Sequence, residues 1–71
     1  MSPRALVEML LAWRHAGPGR TQADAARRMG VDVWTVNAWE NYRRLPRRGT
    51  SVQAILALTA GELGQPYELA H

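Results

Sequence analysis

All nine basic residues of this 71-residue chain are arginines, and seven of them lie in its middle: Arg20, Arg27, Arg28, Arg43, Arg44, Arg47 and Arg48. A guanidinium is always charged and presents a planar fork of donors that fits phosphate oxygens. Such density, with a net charge of +3, points to a polyanionic partner; the plain alternative is a solvated arginine-rich surface. Asn37 carries a donor and an acceptor side by side, the pattern that pairs bidentately with adenine. Glu40 is placed to pair with Arg43 or Arg44 one turn on. Little other chemistry is legible. The chain has no cysteine, which excludes disulfides and thiolate-bound zinc. His15 and His71 are too few and too far apart for a metal site. No general-acid, general-base or nucleophile constellation appears, so neither an enzyme nor a cofactor is expected.

These side chains need helices to position them. Ser2-Pro3 is a strong helix start, a capping hydroxyl followed by proline in the first turn. Leu6, Met9, Leu10 and Trp13 recur at helical spacing, and Val7 and Leu11 widen that face beyond what a small monomer uses. Arg4 and Glu8 stand one turn apart and can pair. Gly17-Pro18-Gly19 ends the helix. Thr21 and Asp24 have capping-box spacing and open a second helix through Ala25, Ala26 and Met29 to Gly30. Asp32 caps a third, predicted from Val33 to Tyr42. It buries Val36 and Trp39, while Val33, Trp34, Asn37, Ala38 and Asn41 lie elsewhere around it. A loop from Arg43 to Gly49 is broken by Pro46. Thr50 and Gln53 form another capping-box pair, opening a fourth helix that carries Val52, Ile55, Leu56 and Thr59, with Leu63 in position to extend it. No strand signal is present. The fold class is all-α: a compact four- to five-helix bundle.

The spacing from residue 22 to 40 is specific. Where two helices cross closely, the first needs a small residue, and Ala26 supplies it. Gly30, four residues later, suits a sharp turn with positive φ. Val31 is the apolar plug after it. Val36 and Trp39 bury one turn apart, and Ala25 and Met29 complete the shared core. Those are the demands of a helix-turn-helix formed by helices 2 and 3.

With Thr21-Gln22, Ala26, Gly30-Val31, Val36, Trp39-Glu40 and Arg44-Leu45-Pro46 in place, the chain resembles the lambda-repressor-like, or XRE-type, helix-turn-helix family over roughly residues 5 to 60. The resemblance implies a DNA-binding regulator whose third helix enters the major groove. It makes Val33, Trp34, Asn37 and Ala38 the candidate base readers. Thr21, Gln22, Asn41, Arg43, Arg44, Arg47 and Arg48 become the candidate contacts to the DNA backbone, Gln22 at the amino end of helix 2. Two positions depart from the family pattern: Val33 and Trp34 stand where polar readers are usual, and the glycine that normally follows the Trp-Glu pair is replaced within Asn41-Tyr42-Arg43. Trp34, far around the helix from Trp39, is expected to face solvent, suited to thymine methyls or sugar edges.

The expected function is sequence-specific binding of double-stranded DNA as a homodimeric repressor of its own or a neighbouring operon, of phage or chromosomal origin, on a pseudo-palindromic operator. Residues 1–64 would form the DNA-binding domain and 65–71 a tail in the dimer interface, with Val7, Leu11, Leu58, Leu63, Tyr67 and Leu69 as spare apolar surface. Two other readings stay open: an antitoxin-like module that masks a protein partner, and an RNA binder using arginines near Trp34 and Tyr42. No apolar run is long enough for a membrane span, so a cytoplasmic protein is expected.

Overall fold

The computed structural model describes residues 1–61 and contains four α-helices: α1 (Pro3–Ala16), α2 (Gln22–Met29), α3 (Val33–Glu40) and α4 (Gly49–Thr59). The all-α expectation is met. The proposed boundary at residue 64, any fifth helix, and Leu63, Tyr67 and Leu69 lie outside the described residues. Three of the four helix starts follow from side-chain caps. Ser2 Oγ accepts from the Ala5 amide at 3.1 Å, Thr21 Oγ1 from Asp24 at 3.0 Å and Asp32 Oδ1 from Thr35 at 3.0 Å, each satisfying one of the amides a helix leaves open. The fourth start differs from expectation. Its N-cap is Arg48, without a side-chain cap hydrogen bond. The helix begins at Gly49, which carries Thr50 inside the first turn and out of capping position.

α2 packs chiefly on α3, and α1 on α4. Their shared core is Leu6, Val7, Leu10, Ala25, Ala26, Val36, Trp39, Ile55 and Leu58, with Met9, Leu11, Trp13, Met29, Val31 and Leu45 packed against it. Ala25 and Ala26 are both buried in that core. Val7 and Leu58 are also fully buried. They complete this chain's own core and are not spare surface for a second copy, because in a domain this small nearly every apolar side chain is needed to cover four short helices.

Both helices of the α2–α3 pair end the same way. Gly30 takes φ +74°, and the Val31 amide reaches back to Ala26 O at 3.0 Å, a left-handed cap that seats Val31 on the core. At the end of α3, Tyr42 takes φ +57° and the Arg43 amide reaches back to Ala38 O at 3.0 Å. Tyr42 thus occupies the conformation that glycine normally supplies, at a cost of about 1–2 kcal/mol. The cap also ends α3 at Glu40, short of the predicted Tyr42.

Candidate nucleic-acid interface

At about 100° per residue, Val33, Trp34, Asn37 and Asn41 fall within one sector of α3 roughly 100° wide. Val33 is 47% exposed and Trp34 60%; Asn41 is exposed and Asn37 half-buried. Trp39, on the opposite side, is buried at 3%. The two tryptophans of α3 therefore divide as the helical spacing requires. Ala38 does not join the exposed sector. It is 1% exposed, because the reversal at Tyr42 lays Arg43 and Arg44 back over it, both amides pointing at Ala38 O. Ala38 is a floor for that loop and cannot touch a base edge.

Beyond α3 the chain is pinned at Leu45 and Pro46. Pro46 is fully buried and Leu45 packs on the core. Arg43, Arg44, Arg47 and Arg48, on either side of that anchor, are all exposed. Arg44 lies over the Trp34 ring, 5.4 Å from its centroid. Arg44, Arg47 and Arg48 rim an open groove over Pro46 and Trp39, bounded by Gly30, Val31 and Asp32. Of the other mid-chain arginines, Arg20 and Arg28 are engaged in structure. Arg28, with its side chain 5% exposed, pairs with Asp24 at 2.9 Å and stacks on Trp13, which Arg20 also covers. Arg20 further donates to Trp13 O at 2.7 Å. Arg27 remains 69% exposed. Arg4 lies over the Tyr42 ring at 4.6 Å.

Glu40 pairs with neither Arg43 nor Arg44. It turns inward to Arg14 of α1, whose Nε donates to Oε2 at 2.8 Å and whose Nη2 donates to Oε1 at 2.7 Å. The Glu40 side chain is 4% exposed and that of Arg14 20%. Those hydrogen bonds raise the Arg14 pKa above its ordinary value, against the opposing effect of burial, so the guanidinium stays charged at any physiological pH. A partner 26 residues away leaves no local spacing signal, so sequence reasoning missed it.

From Glu40 the hydrogen bonds continue outward. Gln22 Nε2 donates to Glu40 Oε1 at 2.9 Å. Asn37 Nδ2 donates to Gln22 Oε1 at 3.1 Å, and Arg43 Nη2 donates to Asn37 Oδ1 at 2.6 Å. Asn41 Nδ2 donates to Asn37 O at 2.8 Å. The structure thus brings together Gln22, Asn37, Asn41 and Arg43, and separately Trp34 and Arg44. Thr21 is exposed at the start of α2, where its oxygen caps the helix. Among the described residues no group of acidic, histidine or cysteine side chains could hold a metal ion, and no helix is long and apolar enough to cross a membrane.

One exposed helix face, a positive loop beside it and a left-handed turn between two tightly packed helices are the parts of a helix-turn-helix. Comparison with known proteins agrees. A helix-turn-helix family model matches residues 18–58, which cover α2, α3, the arginine loop and nearly all of α4. No curated protein and no solved structure matches the chain. The matched segment exceeds half of the sequence, and the chain belongs to the lambda-repressor-like (XRE-type) family of helix-turn-helix DNA-binding domains.

Proposed function

We propose that this protein is a sequence-specific binder of double-stranded DNA that acts in the cytoplasm as a homodimeric repressor of its own or a neighbouring operon. One observation carries the reading: the outward sector of α3 holds Val33, Trp34 and Asn37 beside four exposed arginines on a loop anchored by Leu45 and Pro46. A helix of this width fits the major groove, where hydrogen-bonding edges and thymine methyls distinguish all four base pairs. Val33 and Trp34 would meet methyl groups, and Asn37 a purine edge. Arg44, Arg47, Arg48, Asn41 and Thr21 would hold phosphates. The Gln22 side chain is committed to Glu40 and Asn37, so at this end of α2 the backbone amides of the first turn are the better phosphate donors.

Dimerisation belongs to the same proposal. One recognition helix reads only a few base pairs, whereas two related by a twofold axis read a pseudo-palindrome with half-sites about one helical turn apart. We place the contact between copies on α4 and residues 62–71, a segment with no arginine. The test is a gel shift on the duplex upstream of the protein's own gene, competed with scrambled duplex and with single-stranded RNA, alongside light scattering. The proposal expects a discrete complex of two chains per site that scrambled duplex displaces poorly. Equal displacement by scrambled duplex or RNA would remove sequence-specific duplex binding, and one chain per site would remove the dimer.

A further inference from the structure

Arg43 differs from the other loop arginines in where its guanidinium is held. It donates to Asn37 Oδ1 at 2.6 Å, in the middle of the outward sector of α3. Arg44 instead lies over Trp34, and Arg47 and Arg48 follow the Leu45–Pro46 anchor. Asn37 is itself braced. Its Nδ2 donates to Gln22, which donates to Glu40, which is closed on Arg14. One line of hydrogen bonds therefore runs from a largely buried ion pair to an exposed guanidinium. The left-handed turn at Tyr42 makes this possible by reversing the chain and bringing Arg43 back along the helix it has just left.

We propose that Arg43 reads a guanine in the major groove, positioned by Asn37, in place of the phosphate contact expected from the sequence. The proposal rests on the duplex-binding reading above. A phosphate contact requires a side chain at the flank of the interface, where the DNA backbone runs, and a guanidinium tethered between Val33 and Asn41 lies over the bases. Asn37 occupies one of its five N–H donors. The others can meet the adjacent O6 and N7 acceptors that guanine alone presents in that groove. Holding the long side chain in place beforehand lowers the entropy cost of binding. Asn37 keeps one N–H and one lone pair for a neighbouring base, so it acts as both a positioning residue and a reader.

The experiment selects bound sequences from a duplex library with a random core, using the full chain and its Arg43→Ala variant. Each guanine of the site selected by the unaltered chain is then replaced with 7-deazaguanine, which lacks the N7 acceptor. The proposal expects one guanine per half-site at which 7-deazaguanine weakens binding by the unaltered chain on the order of 10-fold. That penalty disappears in Arg43→Ala, which also selects sites degenerate at that position. In Asn37→Ala the penalty shrinks, a readout that a merely structural role would leave unchanged. If Arg43→Ala weakens all duplexes by one common factor and keeps every 7-deazaguanine penalty, Arg43 grips a phosphate and the guanine assignment is overturned. If the unaltered chain selects no sequence at all, the assignment falls together with the duplex-reading proposal beneath it.

Discussion

Glu40→Ala is expected to remove the polar tie between α1 and α3 and so destabilise the domain. Glu40 accepts three hydrogen bonds, two from Arg14 and one from Gln22, with its side chain 4% exposed. Removing one partner of a buried ion pair costs about 3–5 kcal/mol, because the charge left behind is uncompensated. Arg14 keeps a side-chain exposure of 20%, so water returns to part of it and the cost falls to roughly 2–3 kcal/mol. A chain of this length has a total stability of about 4–11 kcal/mol. At about 4–8 °C per kcal/mol, the variant should melt about 10–20 °C lower. Circular dichroism at the helical minimum, with urea melts at fixed protein concentration, measures both quantities. Arg14→Met combined with Glu40→Leu should recover most of the stability, since two apolar side chains leave no charge stranded. A Glu40→Ala cost below about 1 kcal/mol, the value of an exposed pair, would refute the claim that this pair is a buried tie.

Other outcomes follow from the same geometry. Asn37→Ala should lower affinity for the selected site by about 1–3 kcal/mol while binding to scrambled duplex changes little; an equal fall in both would make Asn37 a folding residue. Ala38→Gln should destabilise the domain by about 1–3 kcal/mol through overpacking, and a folded variant with full stability and new sequence preference would place residue 38 in the groove after all. Tyr42→Gly should be more stable than Tyr42→Ala by about 1 kcal/mol, because both remove the ring but only glycine is at ease at φ +57°; urea melts of the two variants decide it. Replacing Arg44, Arg47 and Arg48 together with alanine should flatten the salt dependence of duplex binding by roughly 0.9 in log-log slope for each phosphate no longer neutralised. An unchanged slope would remove the loop from the backbone interface.

Local signals are legible in the sequence, and long-range ones are not. Ser2, Thr21 and Asp32 cap α1, α2 and α3 as their spacing predicts, and Gly30 takes the positive φ that its place before Val31 demands. The opposition of Trp34 and Trp39 follows from helical periodicity alone. Ala38 escapes such reasoning because its burial depends on the direction taken by the chain after α3, which is set by a non-glycine residue in a left-handed turn. Arg14–Glu40 and Gln22–Asn37 join residues on different helices, so no i, i+4 rule can find them. Val7 looks surplus in the sequence because periodicity shows that a face is wide without showing what covers it. Here the covering surface is this chain's own core.

The central claim, that the outward face of α3 meets DNA, can be tested on the three indole N–H groups of Trp13, Trp34 and Trp39. In the free protein Trp34 is 60% exposed and Trp39 3%, while Trp13 is packed against the core and covered by Arg20 and Arg28. Three separate indole signals should be followed by nitrogen–proton correlation spectroscopy as the selected duplex is added. The account predicts a large shift of the Trp34 signal that saturates at one chain per half-site, with the Trp13 and Trp39 signals nearly still. A bound state in which Trp34 keeps its free position while the Trp13 signal moves would put the DNA on another face and contradict it.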